Sequence, residues 1–215
     1  MTHSGTLGSY YSFMMKYVNN ETGKTLLDLV AAADSCDGSD QGRLIVVAGG
    51  PRAGAMELVL WTMSHIAVRQ NRPVGLISHE MDSKEVVDRL ITTEAEIDSA
   101  ISSDSRLSVA DFKAWSEAAG RIYNAPIFID DQAPCTTDQL PAVMRTMVMY
   151  HSLHCVVLDC LGLVRLSDAS IDRGSRYGKF YDDLKEVAED TGVTMLLVAE
   201  LSQDSCGRQP ALNQL

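Results

Sequence analysis

Two glycines spaced like those of a phosphate-binding loop follow the first strongly apolar run of the chain. The segment GGPRAGAM, residues 49–56, comes directly after LIVVA and keeps Gly49 and Gly54 in a G-x-x-x-x-G frame. Between a strand and a helix, such a loop lets backbone N–H groups surround phosphates. The next two positions should be Lys and Ser or Thr, but they are Ala55 and Met56. The glycine pair alone is therefore a weak indication of a nucleotide site.

The two missing side chains have defined chemistry. The Lys neutralises the outer phosphates and the hydroxyl binds Mg²⁺. Losing one charged hydrogen bond, worth roughly 1.5 to 3 kcal/mol, weakens binding by about one to two orders of magnitude. Arg52 either reaches the phosphates instead or is a solvated loop residue. Met56 is a candidate to fill the loop, because a flexible thioether packs into irregular gaps. The sequence predicts no bound cofactor, and Mg²⁺-ATP only if the altered loop still binds it.

Two acidic residues stand at the ends of strand-like runs. Glu80 follows PVGLIS, and Asp159 ends HCVVLD. In a nucleotide-hydrolysing sheet, one such carboxylate positions the attacking water and the other holds Mg²⁺ through water. The alternative for each is a residue that caps the next helix or faces solvent.

Cysteine and histidine suggest one metal alternative, in the segment HSLHCVVLDC. His151, His154, Cys155 and Cys160 are residue types that bind zinc. A strand through both cysteines would place 155 and 160 on opposite faces of a sheet, so we predict no metal site. The five cysteines of the chain have no repeated spacing, which argues against a disulfide framework.

The elements that must position these residues alternate between short apolar runs and amphipathic stretches. Strands are predicted at 43–48, 73–78, 126–130, 154–159 and 193–199. Helices are predicted at roughly 56–70, 83–94, 108–122, 137–150 and 176–190. This alternation predicts an α/β fold, a mostly parallel sheet with helices on both faces, whose ligands lie beyond the carboxyl ends of the strands.

Single residues punctuate the predicted helices. Asp82 or Ser83 is the expected N-cap of the 83–94 helix, and Ser108 has Asp111 three residues later, as in a capping box. Gly192 is the expected stop of the helix before the last strand.

Length and charge limit the classes of function. The chain has 215 residues, 46% of them hydrophobic, and a formal net charge of -11. One core domain at 41–215, after an extension of linker helices at 1–40, accounts for this length. The acidic balance argues against a general nucleic-acid coating protein. With no membrane-length apolar run and no signal peptide, a cytoplasmic protein is expected.

Four segments together carry a family resemblance. They are PVGLISHEMDSKEVVDRLITTEAEIDS, WSEAAGRIYNAPIFIDDQAPCTTDQL, VVLDCLGLV and RQPALNQL, in that order. They resemble the motor domain of the DnaB-type replicative helicases over about residues 22–215. The most specific parts are the pair Glu80-Met81, the EAAGRI…API…IDD pattern, and the hydrophobic-Asp-x-Leu stretch around Asp159.

The resemblance implies a RecA-like P-loop NTPase core, assembled as a hexameric ring around single-stranded DNA with ATP between subunits. It assigns Glu80 as the catalytic glutamate and Asp159 as the Mg²⁺-associated Walker B aspartate. Thr22-Gly23 is similar to the pair that opens the family's motor domain.

Three departures from the family pattern affect one catalytic device. Ala55 and Met56 replace the loop Lys and Thr, and Glu200, in VAELSQ, stands where a family glutamine senses the terminal phosphate. By the resemblance, the family's last strands and its basic finger are expected to lie beyond residue 215. Together these departures are expected to abolish hydrolysis unless a partner restores it.

The segments that match the family's DNA-gripping loops are locally neutral. Residues 167–179 offer Arg173, Arg176 and Lys179 against two aspartates, and a later loop offers Arg208 against one. Weak contact with single-stranded DNA and a solvated loop both remain open.

Two functions therefore compete. The first is a catalytically degenerate binding or regulatory module in DNA replication or recombination, which uses a RecA-type subunit interface to bind itself, a replicative helicase or another replication protein. The second is an ATP-dependent helicase or ATPase subunit completed by its neighbours. Ala55, Met56 and Glu200 favour the first function, whereas Glu80 and Asp159 favour the second. A structural component that retained only the fold is a third alternative.

Overall fold

The computed structural model describes residues 42–49, 54–97, 108–133, 136–159, 161–166 and 173–200. The strands are β1 (Arg43–Gly49), β2 (Val74–Ser78), β3 (Ile127–Asp130), β4 (Cys155–Asp159) and β5 (Thr194–Glu200). The α-helices are α1 (Ala55–Ser64), α2 (Ser83–Glu94), α3 (Val109–Asn124), α4 (Leu140–His151) and α5 (Arg173–Thr191). A π-helical turn (His65–Arg69) continues α1, and a 3₁₀ turn (Leu161–Leu163) follows β4. The predicted extension at residues 1–40 lies outside the described residues.

The five strands form one parallel sheet in the order β1-β5-β4-β2-β3. Each predicted strand is found, with its ends within one residue of the predicted ones. β2 and β4 are buried along their whole length, as expected of strands covered on both faces. Because all five strands run in the same direction, their carboxyl ends meet at one edge of the sheet, which we call the carboxyl edge.

Helices cover both faces of the sheet and define two cores. On one face, α1, α2 and α3 pack over side chains such as Leu76, Val157 and Val198. On the other face, α4 and α5 pack over Val156 and Leu197. Adjacent residues of β4 and β5 thus contribute to opposite cores, which is the period-two alternation of a strand buried on both sides.

The predicted helix caps and the predicted helix stop are confirmed. Asp82 caps α2 by accepting a hydrogen bond from the Glu85 N–H at 2.8 Å. Ser108 and Asp111 form a reciprocal capping box at the start of α3. Gly192 has φ of 71°, the left-handed conformation that ends α5.

The beginning of α5 differs from the prediction. The sequence predicts a helix that begins at residue 176, within the segment that resembles a DNA-gripping loop, but α5 begins at Arg173. The glycines and serine in this stretch have low helix propensity, yet Phe180, Leu184 and Val187 are buried against the sheet. Tertiary packing of that apolar face stabilises the helix and extends it beyond what propensity predicts.

None of the helices in the described part of the chain combines the length and the apolar character needed to span a bilayer.

Candidate functional site

The register of the sheet places several of the sequence-predicted site residues at the carboxyl edge. Gly49 at the end of β1 is the Cα partner of Glu200 at the end of β5. Asp159 at the end of β4 is the partner of Ser78, after which the chain leads to Glu80. The phosphate-loop glycine and three acidic positions therefore lie along one edge, because the sheet order interleaves these strands.

The start of α1 has a left-handed glycine at its N-cap. Gly54 has φ of 80° and ψ of 18°, a left-handed conformation that side chains disfavour. As the N-cap of α1, Gly54 supplies no side-chain hydrogen bond, so the N-terminal N–H groups keep the partial positive charge that attracts anions. Glu57 in the same turn opposes this attraction with a full negative charge.

The two altered positions serve apolar packing. Ala55 and Met56 are half-buried and contact the core beneath α1, α2 and α3. Positions 55 and 56 therefore supply neither the cation nor the hydroxyl that would hold the outer phosphates of a nucleotide and Mg²⁺. Arg52, for which both a phosphate contact and a solvated position were left open, lies outside the described residues.

Glu80 lies in a short, hydrogen-bonded loop between β2 and α2. The Ser78 hydroxyl donates to the Met81 carbonyl at 2.7 Å and accepts from the Met81 N–H at 3.1 Å. The His79 N–H donates to the Asp159 carbonyl at 2.6 Å, and the Met81 side chain is buried. Glu80 itself is exposed, so a fixed backbone presents its carboxylate to solvent at the carboxyl edge.

The far end of this loop is held from a neighbouring strand. Asp131, directly after β3, accepts hydrogen bonds from both the N–H and the hydroxyl of Ser83, each at 2.7 Å. The hydrogen bonds from Ser83, chiefly from its hydroxyl, lower the pKa of Asp131 below its usual value. Sequence reasoning missed Asp131 as a site residue, although the IDD pattern at the end of a predicted strand was the available signal.

Asp159 is a buried carboxylate with an unmet hydrogen-bonding requirement. The residue is only 2% exposed, and Oδ2 has no hydrogen-bond partner within the described residues. Burial, together with the negative charge of Glu80, raises the pKa of Asp159 to about 6, whereas Arg89 acts in the opposite direction. This oxygen without a partner is suited to coordinate a cation such as Mg²⁺. Asp159 therefore fits a metal ion, whereas Ala55 and Met56 offer no ligand for one.

Arg89 is a second residue that sequence reasoning missed. It lies on α2, forms an ion pair with Glu85 at 2.8 Å, and lowers the pKa of Asp159. Its position on the helix after Glu80 carried no recognisable signal, because the direction of α2 relative to β4 depends on tertiary packing.

Glu94 is a third missed residue, away from the carboxyl edge. Its buried carboxylate accepts from the Ser64 hydroxyl at 2.6 Å and from Arg69 at 2.9 Å. Nε of Arg121 on α3 donates to the same carboxylate at 2.7 Å. Glu94 thus joins α2 to the end of α1, to the π-helical turn and to α3 in one hydrogen-bonded unit.

The predicted basic residues are only partly described. Lys179 is exposed on α5. Arg173 and Arg176 lie in the first turns of α5 rather than in a loop, which corrects their predicted setting. Arg208 lies outside the described residues.

The residues of the zinc alternative have other contacts. His154 Nε2 lies 2.9 Å from Arg72, and the pKa of His154 is lowered by burial and by that cation. His151 stacks on Phe128 with ring centroids 3.8 Å apart, and Cys155 is buried in the sheet. Position 160 lies outside the described residues. In the part of the chain that the structure covers, no three His, Cys, Asp or Glu residues are grouped to hold a metal ion.

Comparison with known families gives a match over most of the chain. The model of the DnaB-like helicase C-terminal domain matches residues 22–215. The replicative DNA helicase DnaB of Treponema pallidum is 26% identical over 207 residues, which cover 96% of this chain and 46% of that protein. The DnaB of Nostoc is 30% identical over 193 residues, covering 87% of this chain and 21% of that protein. The chain thus spans less than half the length of these curated relatives.

Solved structures give the same fold. One solved ATPase domain superposes with a TM-score of 0.69 at 22% identity, covering 92% of this chain and 78% of that one. A second solved structure, of a DnaB-like replicative helicase and its interactions with primase, superposes with a TM-score of 0.68 at 24% identity. The match covers 81% of this chain and 43% of that one. The predicted RecA-like core, with its parallel sheet and helices on both faces, is confirmed.

Proposed function

This chain belongs to the DnaB-like helicase C-terminal domain family, and we propose that it acts in DNA replication or recombination as a catalytically degenerate binding module. It associates through the RecA-type face at the carboxyl edge with a second copy, a replicative helicase or another replication protein. The interactions of one solved relative with primase support a role among replication partners. We also propose that the protein acts in the cytoplasm.

The observation that carries the proposal is the packing at the start of α1. Ala55 and Met56 contact the apolar core where a phosphate loop holds its cation and hydroxyl. Without that cation, the acidic groups Glu57, Glu80 and Asp159 repel the phosphates of a nucleotide. Glu200 adds a further acidic position at the end of β5, next to β1. The carboxyl edge is therefore better suited to contact the surface of another protein than to bind a polyphosphate.

Native mass spectrometry of the protein mixed with a replicative helicase ring tests this proposal. We expect complexes whose mass equals the ring plus one or more copies of this chain, or a ring in which this chain replaces subunits. Glu80→Lys reverses the charge at the exposed edge and should weaken the complex, whereas Lys113→Glu on the outer surface of α3 should leave it unchanged. Self-association is measured in the same experiment without the ring. Monomers alone, both with and without the ring, would contradict the proposal.

A second candidate is an ATPase subunit that neighbouring subunits complete. The specific observation in its favour is the carboxylate half of the site, because Glu80 is held in a fixed loop and Asp159 keeps an orphaned oxygen among the described residues. Steady-state ATP hydrolysis by the protein, alone and with a helicase ring, distinguishes the two functions. Turnover that disappears in Glu80→Gln would establish this second candidate, and no turnover is the result that the first one predicts.

A further inference from the structure

We propose that Asp131 is a positioning residue that holds Glu80 in place at the carboxyl edge by anchoring the first residue of α2. The proposal concerns the geometry of the loop at residues 79–82. It goes beyond the proposed function, because it holds whether Glu80 contacts a partner or a water molecule.

Two kinds of hydrogen bond are described in and beside the loop. Ser78 with Met81 and Asp82 with Glu85 bond within the segment from β2 to α2, and the His79 N–H donates to the backbone of the neighbouring strand β4. Asp131 instead supplies a side-chain contact from a separate element, the end of β3. It therefore fixes where α2 begins relative to the sheet.

The half-buried Asp131 carboxylate makes two hydrogen bonds to one residue. One carboxylate oxygen, Oδ2, accepts from both the backbone N–H and the hydroxyl of Ser83 at 2.7 Å. A negative charge at a helix N-terminus also interacts favourably with the helix dipole. Oδ1 of the same carboxylate accepts from Gln132 at 3.1 Å, which limits rotation of the side chain.

The chain offers a matched control beside this residue. Asp130 has the same side chain, one position earlier, and its Oδ1 accepts from the Gln132 N–H at 2.9 Å within its own turn. Asp130→Ala therefore removes a neighbouring carboxylate without touching α2. Asp131→Asn is the conservative variant, because an amide oxygen still accepts from both donors of Ser83.

A simple capping role would give a different result from a positioning role. If Asp131 only capped α2, its loss would expose the first N–H groups of the helix. If it holds the loop, the His79 and Met81 N–H groups, which Asp131 does not contact, also become easier to expose. Amide hydrogen exchange measured by NMR, under conditions where exchange reports the opening equilibrium, separates these cases.

In Asp131→Ala we expect the His79 and Met81 amides to exchange about tenfold faster than in the wild type, as expected for losing a charged acceptor near the surface. The Asp131→Asn variant should restore most of the protection, and Asp130→Ala should match the wild type. Faster exchange confined to the first turn of α2 would overturn the proposal, as would unchanged exchange throughout.

A second variant covers the case in which Asp131→Ala loosens the whole fold, recognised by faster exchange of central amides such as Leu158. Ser83→Ala removes the hydroxyl donor and leaves the backbone donor, so it should speed exchange at His79 and Met81 in the same direction by a smaller factor. No change at these amides in Ser83→Ala would then overturn the proposal. Partner binding is read separately by native mass, so loosened amides with an intact complex would count against the proposed interface and not against Asp131.

Discussion

At the scale of single residues, Asp159 links the structure to a measurable pH dependence. Its pKa is raised from 3.8 to about 6 because burial and Glu80 disfavour the ionised form. A carboxyl group whose folded pKa is raised binds its proton more tightly in the folded state. Its ionisation therefore costs stability, and that cost appears as the pH rises from about 4 to above 6.

Asp159→Asn should remove this cost. We expect the variant to be more stable than the wild type at pH 7.5, by at most about 3 kcal/mol, and to differ little from it near pH 4. Chemical unfolding of both proteins at the two pH values measures the difference. A stability difference that does not change with pH would contradict the explanation given for Asp159.

Two glycines give a matched test of backbone conformation. Gly54→Ala places a side chain at φ of 80° and should destabilise the fold by about 1 kcal/mol. Gly120→Ala, in the exposed interior of α3 where an added Cβ meets no atom within 4 Å, should stabilise it by up to about 1 kcal/mol. Thermal unfolding of both variants provides the comparison. Effects of the same sign would argue against the left-handed turn at the start of α1.

At the scale of elements, Glu94 joins α2 to the π-helical turn and to α3. Glu94→Ala should destabilise the fold by about 1 to 3 kcal/mol, because it takes away the acceptor of the buried Ser64 hydroxyl and the carboxylate that Arg69 and Arg121 share. The value is below that for a fully buried pair, since both arginines are more than a third exposed.

The exposed pair on α2 is the control for Glu94. Glu85→Ala removes the partner of Arg89 at the surface, so we expect a loss of less than about 1 kcal/mol. Urea unfolding of the two variants beside the wild type gives both values. Equal losses would show that the Glu94 contacts contribute no more than a surface ion pair.

The elements themselves were predictable from local patterns, whereas several site contacts were not. Apolar runs, caps and stop signals depend on neighbours within a few residues, which is why the five strands and the caps at Asp82 and Ser108 were found. Asp131, Arg89 and Glu94 act on residues of other elements that are distant in sequence. Their partners depend on the sheet order and the helix packing, which cannot be read from a single sequence.

At the scale of the whole molecule, sheet order and charge act together. The order β1-β5-β4-β2-β3 gathers the ends of four strands that carry Gly49, Glu200, Asp159 and the Glu80 loop. Family resemblance identified Glu80 and Asp159 from sequence, and the register places both positions at the carboxyl edge. Because the formal net charge is -11, the long-range electrostatic field of the molecule does not attract a nucleotide or DNA.

The most direct test of the central claim is calorimetric titration with Mg²⁺-ATP. The wild-type protein is compared with an Ala55→Lys/Met56→Thr double variant, which restores the cation and the hydroxyl on the backbone turn at Gly54. We predict no binding heat for the wild type and measurable binding for the double variant, because Gly54 has the left-handed conformation that begins α1 and the substitutions supply the missing cation and hydroxyl. Binding of Mg²⁺-ATP by the wild type with micromolar affinity would contradict the claim that this family member no longer binds a nucleotide.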